Sequence, residues 1–335
     1  MFFGFMLLAL FFSLRSTSYG NDLARYEMNF NELTWKMLNY LDDKKSSEIS
    51  WAYLNLLFKP FGFRCFVFFN TFLLCGTMYY LIKRFVPPMW YWFAVFVFLF
   101  DTNQFLINLS MLRQSMSISL CALSFVFMYD KKRLLSILLL VIACTIHRST
   151  YIMIPFFLIV LINSEKILRW SIVAIAMMLL LFIFSAGLFT SYLMEILSTD
   201  MVHDAFGEHL SLLEETSSGI GAGLMLQILA SISLLLVWKD MEIMPKKMVL
   251  FFMFYFACCF ASLYLVLLFR FGYYFLIWGN LVYPIAFSLL EKKKKYAMIK
   301  NMSKLFLTIC IIYTYYGFFT DSVYSKYFKN FEFCF

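Results

Sequence analysis

From residue 62 to residue 320 the chain is a string of apolar runs, most of them as long as a bilayer is thick and separated by short clusters of charge or by turn residues. A chain with this pattern has few options, because in hydrocarbon every backbone N–H and C=O must be satisfied within the structure and only helices or closed barrels do that. The runs lack the alternation of barrel strands, so an all-α bundle of transmembrane helices is expected. Apolar residues are 63% of the 335 positions and charged residues 14%, far from the balance of a soluble domain. Phe occurs 43 times and is spread over nearly every window, more than one aqueous core has use for.

Runs fall near 1 to 14, 62 to 82, 88 to 107, 108 to 128, 134 to 147, 149 to 163, 170 to 190, 222 to 238, 248 to 268, 271 to 290 and 305 to 320, which predicts about eleven crossings in one membrane domain over residues 1–335. The run 1 to 14 is short, but it has neither a basic flank nor a small-residue cleavage site, so it reads as a first helix rather than a secretory signal. Tight joints are expected at Asp101 to Asn108 and at His147 to Ser149, where polar residues interrupt continuous hydrophobicity.

Basic residues test the count, since cytoplasmic loops carry the Lys and Arg excess. Lys83 and Arg84, Lys131 to Arg133, Lys166 and Arg169, Lys239 with Lys246 and Lys247, and Lys292 to Lys295 all fall on one side of that alternation, which is therefore the cytoplasm. The N-terminus is then cytoplasmic. The segment 15–61, the two tight joints, the loop 191–221, the Arg270 joint and the C-terminus face outward. The net charge of +8 resides in these loop clusters and forms no continuous basic face for nucleic acid. The eight Cys lie mostly in apolar runs without a C-x-x-C pair, and the outward His and acidic residues have no ligand spacing, so neither metal nor cofactor is expected.

Arg113, Arg148 and Arg270 interrupt apolar runs at the outward side. One such arginine is as readily explained by snorkelling to the headgroups. Several at one face suit a lipid diphosphate, which guanidinium groups grip through paired charge-assisted hydrogen bonds. Around Arg113, Gln114 and the serines that follow make a polar helix entrance, while Ser115, Ser119 and Ala122 fall at helical spacing as a small-residue packing stripe. His147 beside Arg148 can accept a hydroxyl proton or donate to phosphate, against the common reading of a packed hydrogen-bonding histidine. Arg270, Tyr273 and Tyr274 fall at i, i+3 and i+4 on one helix face, where the phenols suit either an interfacial aromatic belt or a sugar-facing surface. In the outward segment Asp22 and Glu48 stand in local patterns of small and aromatic residues.

These residues resemble those of the EpsG family, membrane proteins of exopolysaccharide and capsule loci related in role to Wzy-type O-antigen polymerases. The block LINLSMLRQSMSISLCALSFVFMYDKKRLLSILLLVIACTIHRSTYIMIPFFL is similar to the family's pattern of N, then RQ, a small-residue helix, a basic turn and H-[KR]-S. Supporting blocks are R-x-x-x-Y-G-N-D-x-x-x-Y from Arg15 to Tyr26, E-x-x-x-x-Y from Glu48 to Tyr53, and R-F-x-Y-Y-F from Arg270. Where this chain reads Gly20, Asn21, Asp22, family members more often read GTD. The resemblance points to Arg15, Asp22, Tyr26, Glu48, Arg113, Gln114, His147, Ser149, Arg270 and Tyr274.

It implies polymerisation of undecaprenyl-diphosphate-linked oligosaccharide repeats into exopolysaccharide, capsule or O-antigen at the outer face of the bacterial cytoplasmic membrane. Transfer would be inverting, with lipid-linked donor and acceptor and without nucleotide sugar, and a flippase and a chain-length regulator would be partners. Asp22, Glu48 and His147 are the candidate bases. Arg15, Tyr26, Arg113, Gln114, Arg148, Ser149, Arg270, Tyr273 and Tyr274 are the candidate substrate contacts. A non-enzymatic flippase or exporter would instead place charges deep within helices of a two-state architecture, and a membrane acyltransferase would need a different His arrangement.

Overall fold

A computed structural model describes residues 1–40, 48–184, 221–262 and 268–334. Among the described residues the secondary structure is helical, apart from one isolated antiparallel bridge between Arg15 and Phe333. The expected outward loop 191–221 lies outside the described residues except for Gly221.

The chain divides into two compact units, one of residues 1–161 with 311–335 and one of residues 162–310, with a boundary inside the helix Ala297–Thr320. In the first unit the described helices up to residue 161 are α1 (Phe2–Ser13), α2 (Leu23–Glu32), α3 (Ile49–Phe58), α4 (Phe63–Phe85), α5 (Tyr91–Phe100), α6 (Leu106–Ser110), α7 (Leu112–Tyr129), α8 (Arg133–Ile146) and α9 (Met153–Leu161), and a short helix Ser322–Phe328 follows near the C-terminus. In the second they are α10 (Glu165–Phe184), α11 (Ala222–Leu236), α12 (Ile243–Ala261), α13 (Phe269–Leu276) and α14 (Gly279–Glu291).

Three described helices are long and apolar enough to cross a membrane: Phe63–Phe85, Ile243–Ala261 and Lys294–Thr320. The pair α13 and α14, bent by 45°, makes a fourth if it is one broken span. The remaining apolar helices are shorter, at Phe2–Ser13, Pro88–Phe100, Arg133–Ile146, Arg148–Leu161 and Ala222–Leu236. At 1.5 Å per residue, the 12 residues of α1 reach about 18 Å, against a hydrocarbon core of about 30 Å. Apolar content therefore runs ahead of helix length, because polar breaks cut several runs short.

Both expected joints are such breaks. α5 stops at Asp101, whose backbone is extended and whose carboxylate accepts from the Asn103 N–H at 3.1 Å and the Gln104 amide at 3.3 Å. α8 stops at His147, extended at φ −146° and ψ 123°, and a 3₁₀ turn Arg148–Ile152 follows. The helix expected from residue 108 instead contains a second break at Met111, with φ −86° and ψ 71°, so Asn108 ends up in α6 and Arg113 in the first turn of α7.

α7 and α8 form the closest pair in the first unit. Ser115, Ser119 and Ala122 are buried, as a packing stripe requires. Ser117 Oγ donates to the Ala143 carbonyl at 3.1 Å, and Ser124 and Ser136 exchange hydroxyl-to-carbonyl bonds at 2.8 and 2.7 Å. Where α7 begins and α8 ends lies an apolar cluster of Leu23, Phe30, Phe63, Phe66, Val67, Leu112, Met116 and Ile146, joining α2, α4, α7 and α8, with Trp51, Leu54 and Phe58 of α3 packed against it. The described parts of the segment 15–61, expected to face outward, are thus folded onto the bundle by their own apolar residues.

Candidate functional site

The polar candidates sit at the rim of that cluster because each is a sequence neighbour of one of its members. Leu23 anchors Asp22, Leu112 anchors Arg113, Ile146 anchors His147, and Trp51 lies one helical turn beyond Glu48. Tyr26 packs edge-on against Trp51 with ring centroids 5.5 Å apart. Ser50 Oγ and Thr145 Oγ1, 2.7 Å apart, tie α3 to α8 directly behind the site.

Glu48 is the centre. Its Oε2 accepts an ion-paired hydrogen bond from Arg113 Nη1. Its Oε1 lies 3.0 Å from His147 Nδ1 and accepts the backbone N–H of Arg148 at 3.3 Å. The carboxylate side chain is 14% exposed and the guanidinium 37%. Arg113 Nε donates to the Tyr26 hydroxyl at 3.4 Å, and the guanidinium lies 5.5 Å from that ring's centroid. Burial alone would raise the Glu48 pKa, but the His147 hydrogen bond, the Arg113 charge and the Arg148 N–H outweigh it and hold the group down at about 2. Burial pushes the Tyr26 phenol up, against the lowering effect of Arg113.

A carboxylate with so low a pKa carries no proton at neutral pH and can only accept. The proton between it and His147 therefore belongs to Nδ1, a tautomer in which Nε2 is the ring's accepting nitrogen. The arrangement can take a proton at Nε2, stabilise the resulting imidazolium through Glu48, and present the remaining edge of the Arg113 guanidinium to an anion. Glu48 itself is a poor base, since a proton acceptor works best when its pKa is near the operating pH.

Asp22 stands at the start of α2, one turn before Tyr26, and its backbone N–H donates to Ser110 Oγ at 3.2 Å. Arg148 and Ser149 are half-buried in the 3₁₀ turn, and Gln114 is buried in the first turn of α7. Arg15 differs from the expectation of a substrate contact. It is 0% exposed, and its guanidinium donates to the Phe12 carbonyl, to Thr71 Oγ1 at 3.2 Å and to the Leu109 carbonyl at 2.6 Å. A buried cation finds its partners within the protein, and through Nη1 and Nη2, with Nε left unpartnered among the described residues, Arg15 ties α1, α4 and α6 together. Arg270, Tyr273 and Tyr274 belong to the second unit, where Arg270 is exposed and both phenols are buried rather than open as a belt or sugar platform, Tyr273 edge-on to Phe269.

Ser110 was not singled out in the sequence. It receives Asp22 and also touches Gly20, whose φ of +103° and close approach exclude a side chain: a Cβ there would lie 2.7 Å from Ser110 Oγ. Only its position three residues before Arg113 marked it. Gly20→Ala is expected to destabilise the protein by about 1–3 kcal/mol, read as a lowered thermal midpoint in detergent; an unchanged midpoint would mean that this turn does not rest on Ser110.

Several apolar helices, some of them long enough to cross a membrane, together with a partly buried carboxylate–arginine–histidine cluster in the first unit, define the class as a helical membrane protein. The profile of the EpsG family matches residues 1–333, and the chain belongs to that family. This is a Wzy-like polysaccharide polymerase family, which gives the protein a general role in polysaccharide polymerisation. No curated protein and no solved structure matches the chain.

Proposed function

We propose that the chain joins undecaprenyl-diphosphate-linked oligosaccharide repeats into exopolysaccharide, capsule or O-antigen at the outer face of the bacterial cytoplasmic membrane. It would act as one membrane domain that crosses the bilayer about eleven times, N-terminus inside and C-terminus outside. The observation that carries this reading is the convergence of Glu48, Arg113 and His147, separated by 65 and 99 residues in sequence, on one partly exposed centre.

In the proposed step, a hydroxyl of the acceptor glycan attacks the anomeric carbon of the donor while its proton passes to His147 Nε2. The bond from that carbon to the diphosphate oxygen breaks, and the diphosphate leaves with the electron pair. The single displacement inverts the carbon. Diphosphate is a good leaving group, so the demand on the protein is a base at the acceptor and cations at the donor. Arg113 supplies one cation, and Arg148, whose backbone N–H meets the same carboxylate, is the candidate for a second; Glu48 keeps the His147 ring in the tautomer that accepts at Nε2. Asp22, one turn before Tyr26, stays a rival base.

The test is the glycan length ladder of cells expressing wild type, Arg113→Ala and Arg113→Lys at equal membrane abundance. Single repeats should replace the ladder in Arg113→Ala. Lysine should restore it only in part, since an ammonium lacks the paired geometry of guanidinium. A full ladder from the alanine variant would remove Arg113 from the mechanism.

A further inference from the structure

Helix α3 is apolar on both sides, which is the signature of a helix covered all round. Its inner side packs on the cluster through Trp51, Leu54 and Phe58. Its other side is bare: Ile49, Tyr53, Leu57 and Phe61 follow one another at intervals of four along α3 and the 3₁₀ turn after it, and all four are exposed, Leu57 by 61% and Phe61 by 69%. The exposed Trp35 ring lies 6.2 Å from Tyr53 and widens the stripe, and the exposed Lys36 follows it in sequence.

The chain itself says where this face is. One residue after Phe61 comes Gly62, in a positive-φ turn, and then α4 begins at Phe63, one of the helices long and apolar enough to cross a bilayer. The C-terminal end of α3 is therefore held at the bilayer surface, at the end where α4 enters. Trp, Tyr and Lys beside an aliphatic stripe are the composition of a helix lying in the headgroup layer.

The geometry points to α3 as an interfacial helix whose Ile49–Tyr53–Leu57–Phe61 face, with Trp35, lies in the lipid of the leaflet where α4 begins. Its partner is the bilayer surface itself, with Lys36 at the level of the lipid phosphates. Glu48 is the residue immediately before this helix, so the same docking sets the Glu48, Arg113 and His147 centre at the depth of the headgroup layer. The inference rests on α4 crossing the membrane and not on polymerisation.

A nitroxide attached to Leu57→Cys, and separately to Tyr53→Cys, in a Cys65→Ala, Cys258→Ala, Cys334→Ala background and in phosphatidylglycerol–phosphatidylethanolamine vesicles, reads the environment of this face directly. Both positions are exposed, and Tyr53→Cys gives up only the ring contact with Trp35. Collisions with oxygen are expected to exceed collisions with a water-soluble nickel chelate several-fold at both positions. Frequent nickel collisions would put the face in water. Low access to both reagents would mean a protein cover, a second copy if the labels broaden one another and another polypeptide if they do not. Each of these overturns the inference, and none depends on whether Arg113→Ala abolishes the ladder.

Discussion

His147→Ala is expected to slow polymer formation by about 10²–10⁴-fold, the usual contribution of a positioned base, while the protein keeps its fold. The size follows from the chemistry left behind. With a diphosphate leaving group and Arg113 still in place, donor activation survives, but the acceptor hydroxyl has no neighbouring group to take its proton. The ring is also well placed to be removed without collapse. It sits at the extended residue between α8 and the 3₁₀ turn, is partly exposed, and is held by a hydrogen bond to Glu48 rather than by deep packing. The measurement is initial rate with purified lipid-linked repeats in vesicles, beside a thermal midpoint. A rate within a few-fold of wild type, at an unchanged midpoint, would pass the role of base to Asp22. Loss of rate together with a collapsed midpoint would make His147 a structural residue.

Glu48→Ala should have the larger effect on stability. Breaking a buried ion pair costs about 3–5 kcal/mol, and the exposure of Arg113 reduces this to about 2 kcal/mol. In a double-mutant cycle, Glu48→Ala with Arg113→Ala should cost less than the sum of the two, with a coupling on the order of 1–2 kcal/mol. Strict additivity would mean that the pair carries no net energy. The pH dependence gives a second reading. Because the folded-state pKa of Glu48 is depressed from 4.5 to about 2, its contribution is complete above about pH 4.5 and is lost as pH falls toward 2. The gap between wild type and Glu48→Gln should close across that window, whereas a gap that persists at the acid end would locate the effect in packing.

The second unit has a partly buried charge contact of its own, Lys246 Nζ to Glu165 Oε1 at 2.7 Å between α12 and α10. Neither residue stood out in the sequence as more than a basic loop marker or its neighbour. Buried lysines and loop lysines look alike in a linear pattern, since the difference lies in which helix packs over them.

The all-helical membrane class was legible in the sequence, because it follows from composition and from the rule that backbone polar groups must be satisfied in lipid. So were the breaks at Asp101 and His147, where polar side chains stop continuous hydrophobicity, and the small-residue packing face of α7. The count of crossings was less so: hydropathy measures apolar content, while the length of each helix is settled by local breaks such as Met111 and the bend between α13 and α14. Arg113, Glu48 and His147 were each marked by type and setting, but nothing in their spacing said that they meet. That was decided by tertiary packing, as Leu23, Trp51, Leu112 and Ile146 drew four separate segments onto one apolar cluster and left the polar neighbours at its rim. Packing likewise turned Arg15 inward onto the Phe12 and Leu109 carbonyls, for a long cationic side chain reads the same in sequence whether it meets a ligand or the protein's own backbone.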